Sequence, residues 1–306
     1  MGLKMPSLRA DRLGTLYFVR PWRRLVAGRN DMRIPILMYH SISELSRTNA
    51  HPYFETRTSP EVFELQMKFL CERGYSTISP ADVVALLSTG EPNTNKKIVL
   101  TFDDGFRDFY THAFPILQKY GLNATVYLPT EYINKKTKPF LGKECLTWAE
   151  VRELNKLGVA FGSHTVTHPT LRLLSESDLE REIRCSKEII EDELGSSIYS
   201  FAYPYAFPEQ DRAFLHRLRD ALKGAGYHNG VSTVIGSVQS LEGRFFMKRL
   251  PVNSWDDLKF FHAKIEGNYD WVHNPQYLKK LIRQHPTEPP AGGNAAEQAK
   301  GFDTGR

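Results

Sequence analysis

Cysteine is scarce in this chain. Three occur in 306 residues, Cys71, Cys145 and Cys185, widely spaced and odd in number, so they offer neither a disulfide framework nor a cysteine-type zinc site. They read as ordinary buried or half-buried thiols. Long apolar runs are missing too, and no stretch approaches the roughly 20 residues that cross a bilayer. At the N-terminus Leu16-Tyr17-Phe18-Val19 is flanked at once by Arg20 and Pro21, which breaks the continuous apolar core of a signal peptide. A cytoplasmic protein is the expectation. A strong charge excess is also lacking: 40 Lys and Arg stand against 35 Asp and Glu, a net +5, with no basic run inside the body of the sequence, so no nucleic-acid partner is suggested. No internal repeat is evident.

What is present is enough apolar material, 41% of residues with 12% aromatic, to bury a large core in one big α/β domain or two small ones. Residues 1–32 read as a basic N-terminal extension. Arg9, Arg12, Arg20, Arg23, Arg24 and Arg29 alternate there with Leu13, Leu16, Tyr17, Phe18, Trp22 and Leu25, the composition either of a solvated arm or of a segment making peripheral membrane contact. Residues 271–306 read as a C-terminal tail, and the Pro- and Gly-rich run after Pro286 as disordered.

Between these ends, apolar runs alternate with amphipathic segments. Strands are expected over 33–42, ending near His40, and over 98–102, 124–129, 159–164, 199–204, 230–235 and 245–252. Helices are expected over 60–73, 80–87, 107–120, 147–157, 175–194, 211–223 and 255–265, several opened by a Ser or Thr cap and closed by Gly. In the helix over 175–194, Leu179, Ile183, Ile189 and Ile190 are expected to face inward. Such strand-helix alternation implies a parallel sheet, and the number of units favours a barrel of about seven strands over residues 33–270.

The chain is organised around Lys97-Ile98-Val99-Leu100-Thr101-Phe102-Asp103-Asp104-Gly105, a buried strand that delivers two adjacent carboxylates to its C-terminal end. Neighbouring strand residues point to opposite sides, so both acids can face one pocket only where the strand breaks into a loop. Gly105 permits such a turn, and a turn alone would also account for Asp-Asp-Gly. In a second stretch, Ser163-His164-Thr165-Val166-Thr167-His168-Pro169, two histidines four apart could share a helical face. The β-branched Thr-Val-Thr and the trailing Pro169 argue instead for a strand end and turn, and either geometry can present two imidazoles to one ion. Strand ends on one face of a parallel barrel converge, which brings Asp103, Asp104, His164, His40 and Tyr205 together. Two imidazoles and one carboxylate form a ligand set for zinc or a similar divalent ion, with positions left for water and substrate.

Thr101-Phe102-Asp103-Asp104-Gly105, His164 to Pro169 about 60 residues on, and the looser Phe201-Ala202-Tyr203-Pro204-Tyr205 resemble the three motifs of the polysaccharide deacetylase, or NodB-homology, family. The likeness runs over about residues 33–265 and leans toward the exopolysaccharide-modifying subset. It implies a distorted (β/α) barrel that removes N-acetyl groups from a sugar polymer, oligosaccharide or lipid-linked precursor. It further implies Asp103 as general base, Asp104, His164 and His168 as ligands of a divalent metal, and the Tyr205 backbone N–H at the oxyanion. Zinc is the first expectation, with cobalt, nickel and iron as alternatives. The chain departs from the family pattern at Ala202, where an arginine usually steers the base, and it lacks a clear Leu-x-His segment for the acid. Arg249 is expected to replace that arginine beside Asp103, and His40 to act near the site as proton donor or support. A related cyclic amide or ureide hydrolase and a catalytically impaired glycan-binding homologue are the alternative functions.

Overall fold

The computed structural model describes residues 9–26, 33–44, 55–90, 95–275 and 277. Seven strands form its centre: β1 (Ile36–Tyr39), β2 (Lys97–Phe102), β3 (Thr125–Leu128), β4 (Ala160–Ser163), β5 (Ser200–Ala202), β6 (Asn229–Ile235) and β7 (Met247–Pro251). All neighbours pair in parallel, in the order β1-β7-β6-β5-β4-β3-β2, and β2 pairs back onto β1. The ring is therefore closed, a (β/α) barrel of seven strands as the alternation implies. A short strand, Ser76–Thr77, adds to β2 from outside.

Because side chains alternate along a strand, the barrel carries two apolar clusters. Ile36, Val99, Tyr127, Ala202, Val231 and Met247 form a small one within the ring. Leu37, Tyr39, Leu100 and Phe102 belong to a much larger one that the ring shares with the helices, through Phe63 and Met67 among others. Inward packing is close: a Cβ on Gly162 would come within 2.6 Å of the Tyr127 ring and 2.7 Å of the Ser200 carbonyl, so only glycine fits there.

The helices start where their caps predict. Ser59 caps Pro60–Glu72, and Thr147 with Glu150 forms a reciprocal capping box on Trp148–Lys156. Ser175 caps the long helix α1 (Glu176–Leu194), and Gly195 closes it in the left-handed region. Three details differ from expectation. Residues 107–120 do not form one regular helix: a wide turn, Phe109–Ala113, precedes Phe114–Lys119, because Pro115 has no N–H to give and its ring displaces the preceding turn. The helix expected from Trp255 begins instead at Leu258, since Asp257 accepts the Lys259 and Phe260 N–H groups as its cap. Ile189 lies at the surface, while Glu182 and Ser186 share the buried stripe of α1.

Residues 10–26 are helical, and the extension expected over 1–32 is not a free arm in its described part. Arg9 pairs with the buried Asp256 at 3.1 Å, Arg12 with Asp257 and Arg20 with Glu266. Tyr269 donates to Asp11, and the Trp271 indole donates to Thr15. The pairing needs partners some 250 residues away along the chain, which local composition cannot reveal. The compact unit extends to His273, slightly beyond the boundary expected at 270. The expected disorder after residue 286 lies outside the described residues. Among the described residues no helix is long and apolar enough to cross a membrane.

Candidate active site

The C-terminal ends of β1, β2, β4, β5 and β7 meet at one mouth of the barrel, and strand register sets which residues share a level. Tyr39 pairs with Phe102, and the Asp103 N–H donates to the Tyr39 carbonyl at 3.0 Å, so His40 and Asp103 emerge side by side. Phe201 pairs with Ser163, which puts His164 level with Ala202.

Asp103 continues the inward row Val99, Thr101 of β2. Asp104 would point away from it in an unbroken strand, but its φ is 69° and that of Gly105 is 57°, and the reversal turns both carboxylates toward the mouth. Gly105 is required on two counts. Its φ is left-handed, and a Cβ would lie 3.0 Å from Leu128 and 3.1 Å from Ile133. Leu146 ties the turn down by donating to the Gly105 carbonyl at 2.9 Å.

The two acids have different partners. Arg249, on the inward row of β7 after Met247, donates from both terminal nitrogens to the two oxygens of Asp103, each at 2.7 Å. Its Nε donates to the Ser232 carbonyl at 2.9 Å, and Nη1 also reaches Thr101 Oγ1. This guanidinium is fully buried and stands where sequence reasoning looked for a substitute for the arginine missing at Ala202. Burial alone would raise the Asp103 pKa. The Arg249 charge and its two hydrogen bonds, with help from His164 and His40, hold it far below the ordinary carboxylate range.

Asp104 instead faces the histidines. Its Oδ1 is 3.5 Å from Nε2 of His164 and 3.5 Å from Nε2 of His168. One donor atom from each of the three lies within 4.8 Å of the others, and all three residues are buried. His164 Nδ1 is bonded to the Ala202 carbonyl at 2.8 Å, which fixes the tautomer and leaves Nε2 as a lone-pair donor toward the cluster. Burial and the neighbouring His164 push the His168 imidazole down to about 4, so it is neutral at pH 7, as a ligand must be. Burial works against charge on His164 as well, but the neighbouring Asp104 and Asp103 carboxylates raise its proton affinity overall. The same negative potential attracts a cation. Donor types, spacing and burial thus fit a divalent metal ion.

Tyr205 follows β5 with φ 58°, half-exposed, its ring edge-to-face with His168 at 4.5 Å. His40 is half-buried and near enough for its charge to lower the pKa values of Asp103 and Asp104. The non-glycine residues with left-handed backbone include Asp104, Thr165, His168 and Tyr205. Strain of this kind needs surrounding structure to maintain it.

Part of that structure was not visible in the motifs. Glu182, on the buried face of α1, accepts the N–H groups of Val166 and Thr167 at 2.8 and 2.9 Å and the Thr167 hydroxyl at 2.8 Å. Thr165 Oγ1 accepts the His168 N–H at 3.0 Å, and Ser163 Oγ accepts that of Thr165. The signal for Glu182 was its position: it falls three residues after Leu179 and one before Ile183, on the apolar stripe, where an acid is costly unless used. Glu182→Ala is expected to cost about 1–3 kcal/mol by removing charged acceptors and to weaken metal binding about 10- to 100-fold by loosening His168. Thermal melting and competition with a chelator measure both. Unchanged metal affinity would show that the loop holds itself.

Residues 90–230 match the sequence model of the family described as Polysaccharide deacetylase. The chain is 29% identical over 235 residues, 77% of either protein, to YxkH of Bacillus subtilis (strain 168). It is 22% identical over 256 residues, 75% of this chain and 84% of the other, to the poly-beta-1,6-N-acetyl-D-glucosamine N-deacetylase of Staphylococcus aureus (strain COL). Among solved structures, the Streptococcus pyogenes deacetylase PplD in complex with acetate superposes with a TM-score of 0.67 at 28% identity, covering 77% of this chain and 99% of that one.

Proposed function

We propose, on the premise that residues 90–230 belong to the polysaccharide deacetylase family, that this protein is a metal-dependent hydrolase that removes N-acetyl groups from an acetylated amino-sugar polymer or oligosaccharide. The observation that carries the reading is the division between adjacent acids: Asp103 is held by Arg249, and Asp104 faces His164 and His168. A 22% identical relative named as a poly-beta-1,6-N-acetyl-D-glucosamine N-deacetylase supports an exopolysaccharide as the substrate class.

Asp104, His164 and His168 would hold the ion, zinc by the two-imidazole, one-carboxylate donor set. When bound, it supplies Lewis acidity, polarising the amide carbonyl and acidifying water. Asp103 is ionised throughout the neutral range and accepts the proton of the attacking water. Arg249 fixes the plane of that carboxylate. The Tyr205 N–H donates to the oxyanion as the carbonyl becomes tetrahedral. His40, level with Asp103 across the β1–β2 pair, gives a proton to the departing amine, the role for which no Leu-x-His segment is found. The bonds formed and broken balance as amide plus water giving amine plus acetate.

Acetate release from N-acetylglucosamine oligomers, with small cyclic imides as the comparison, tests the substrate class. Ring opening of imides without acetate release would replace this reading. The wild type is expected to carry stoichiometric metal, and Asp104→Ala, His164→Ala and His168→Ala to lose most of it. Elemental analysis decides, and full occupancy in all three variants would remove the ligand assignment.

A further inference from the structure

Four of the thirteen exposed large hydrophobic side chains among the described residues fall within nine positions of the N-terminal helix: Tyr17 (66%), Phe18 (74%), Trp22 (66%) and Leu25 (84%). Phe18, Trp22 and Leu25, spaced four and three apart, share one helical face. The opposite face is already used. Thr15 is buried against Trp271, Leu16 packs on the main core, and Arg9, Arg12 and Arg20 pair with Asp256, Asp257 and Glu266. The apolar face therefore points outward because the other is pinned.

Charge argues for what covers it. Residues 1–32 contain seven Lys and Arg against two Asp, a net +5, which equals the net charge of the whole chain. Residues 33–306 are thus balanced, and the entire positive excess sits in the segment that exposes these aromatics. We propose that this face is an interfacial helix that docks the protein on an anionic lipid bilayer, with Phe18, Trp22 and Leu25 in the acyl boundary and the basic excess drawn to the headgroups. Trp and Tyr suit that boundary, where a ring is half apolar and half wet.

The helix also sets orientation. Arg9 and Arg12 meet Asp256 and Asp257, in the loop that follows the mouth end of β7, whereas Arg20 meets Glu266 further along the chain. Phe18, Trp22 and Leu25 lie around and beyond Arg20, at the helix end that meets Glu266 and not at the end that meets Asp256 and Asp257, so the bilayer is expected on the Glu266 side. The docking itself does not rest on the deacetylase reading.

The test is co-sedimentation of the full chain with vesicles of phosphatidylcholine alone or mixed with phosphatidylglycerol. Binding is expected to the anionic vesicles, to fall with added salt, and to drop about tenfold or more in the triple variant Phe18→Gln, Trp22→Gln, Leu25→Gln. That variant is expected to keep the wild-type melting temperature and acetate release from soluble oligomers. Four results would overturn the proposal: no binding to anionic vesicles, equal binding by the variant, a lowered melting temperature, which would mean that the chain covers this face itself, or a wild-type dimer that the variant dissociates, which would assign the face to a second copy.

Discussion

An Asp103→Asn enzyme is expected to release acetate about 10²- to 10⁴-fold more slowly than wild type while retaining its metal. Asparagine has the shape of the carboxylate and still offers one oxygen to Arg249, but it cannot take a proton from water at any working pH. The same change one residue later is expected to read out differently: Asp104→Asn removes the only carboxylate of the Asp104, His164, His168 group, so activity falls because metal is lost. Two chemically identical substitutions at neighbouring positions thus separate in one assay, metal content. Asp103→Asn carries a stability cost as well, since the buried Arg249 guanidinium is left facing a neutral amide. Breaking a buried pair costs about 3–5 kcal/mol, so kcat is compared below the melting transition of both proteins. Turnover within tenfold of wild type at full metal occupancy would exclude Asp103 as the base.

Much of this arrangement is legible in the amino-acid sequence. The apolar run into Asp103 fits a buried strand, and the β-branched Thr-Val-Thr with the trailing Pro169 argues for a strand end and turn over His164 to His168. Barrel topology then brings strand ends together whatever their separation in sequence. Alternation on β7 even indicates which residue of Lys248-Arg249-Leu250 faces inward, because Met247 and Arg249 share a side and Leu250 belongs to the outer cluster. What escaped is non-local or strained. The left-handed turns at Asp104, Thr165, His168 and Tyr205 oppose the intrinsic preference of those residues. Leu146 ties down the turn after Asp104, Ser163 and Glu182 hold the loop of Thr165 and His168, and the Thr233 hydroxyl donates to the Tyr205 carbonyl. Glu182 is hard to read from sequence because a charge on an apolar stripe looks like an interruption of the pattern. The docking of Arg9 on Asp256 depends on two residues 247 positions apart, and the outward aromatic face follows from it.

Removing the guanidinium from Asp103 is the sharper test of the electrostatics. In the wild type the folded-state pKa of Asp103 is depressed, so the pair contributes stability that is present above the unfolded value near 3.9 and is lost as pH falls below it. Arg249→Met takes away the Arg249 charge and both its hydrogen bonds, and leaves burial, the largest influence on this carboxyl, opposed only by the histidines. The pKa of Asp103 is then expected to move up. Acetate release acquires an acid limb at higher pH than in wild type, and folding stability, about 3–5 kcal/mol lower at neutral pH, recovers on mild acidification as the carboxyl takes a proton. Arg249→Lys separates charge from geometry. It keeps a cation but loses the two-pronged contact, so its acid limb is expected to stay close to wild type. Its kcat is expected to fall about 10²-fold, because a carboxylate turned by an ångström no longer meets the attacking water. Two variants with the same reduced kcat and no difference in pH profile would mean that Arg249 only fills space in the barrel. A displaced limb in Arg249→Met alone would mean that it holds the base ionised and in line.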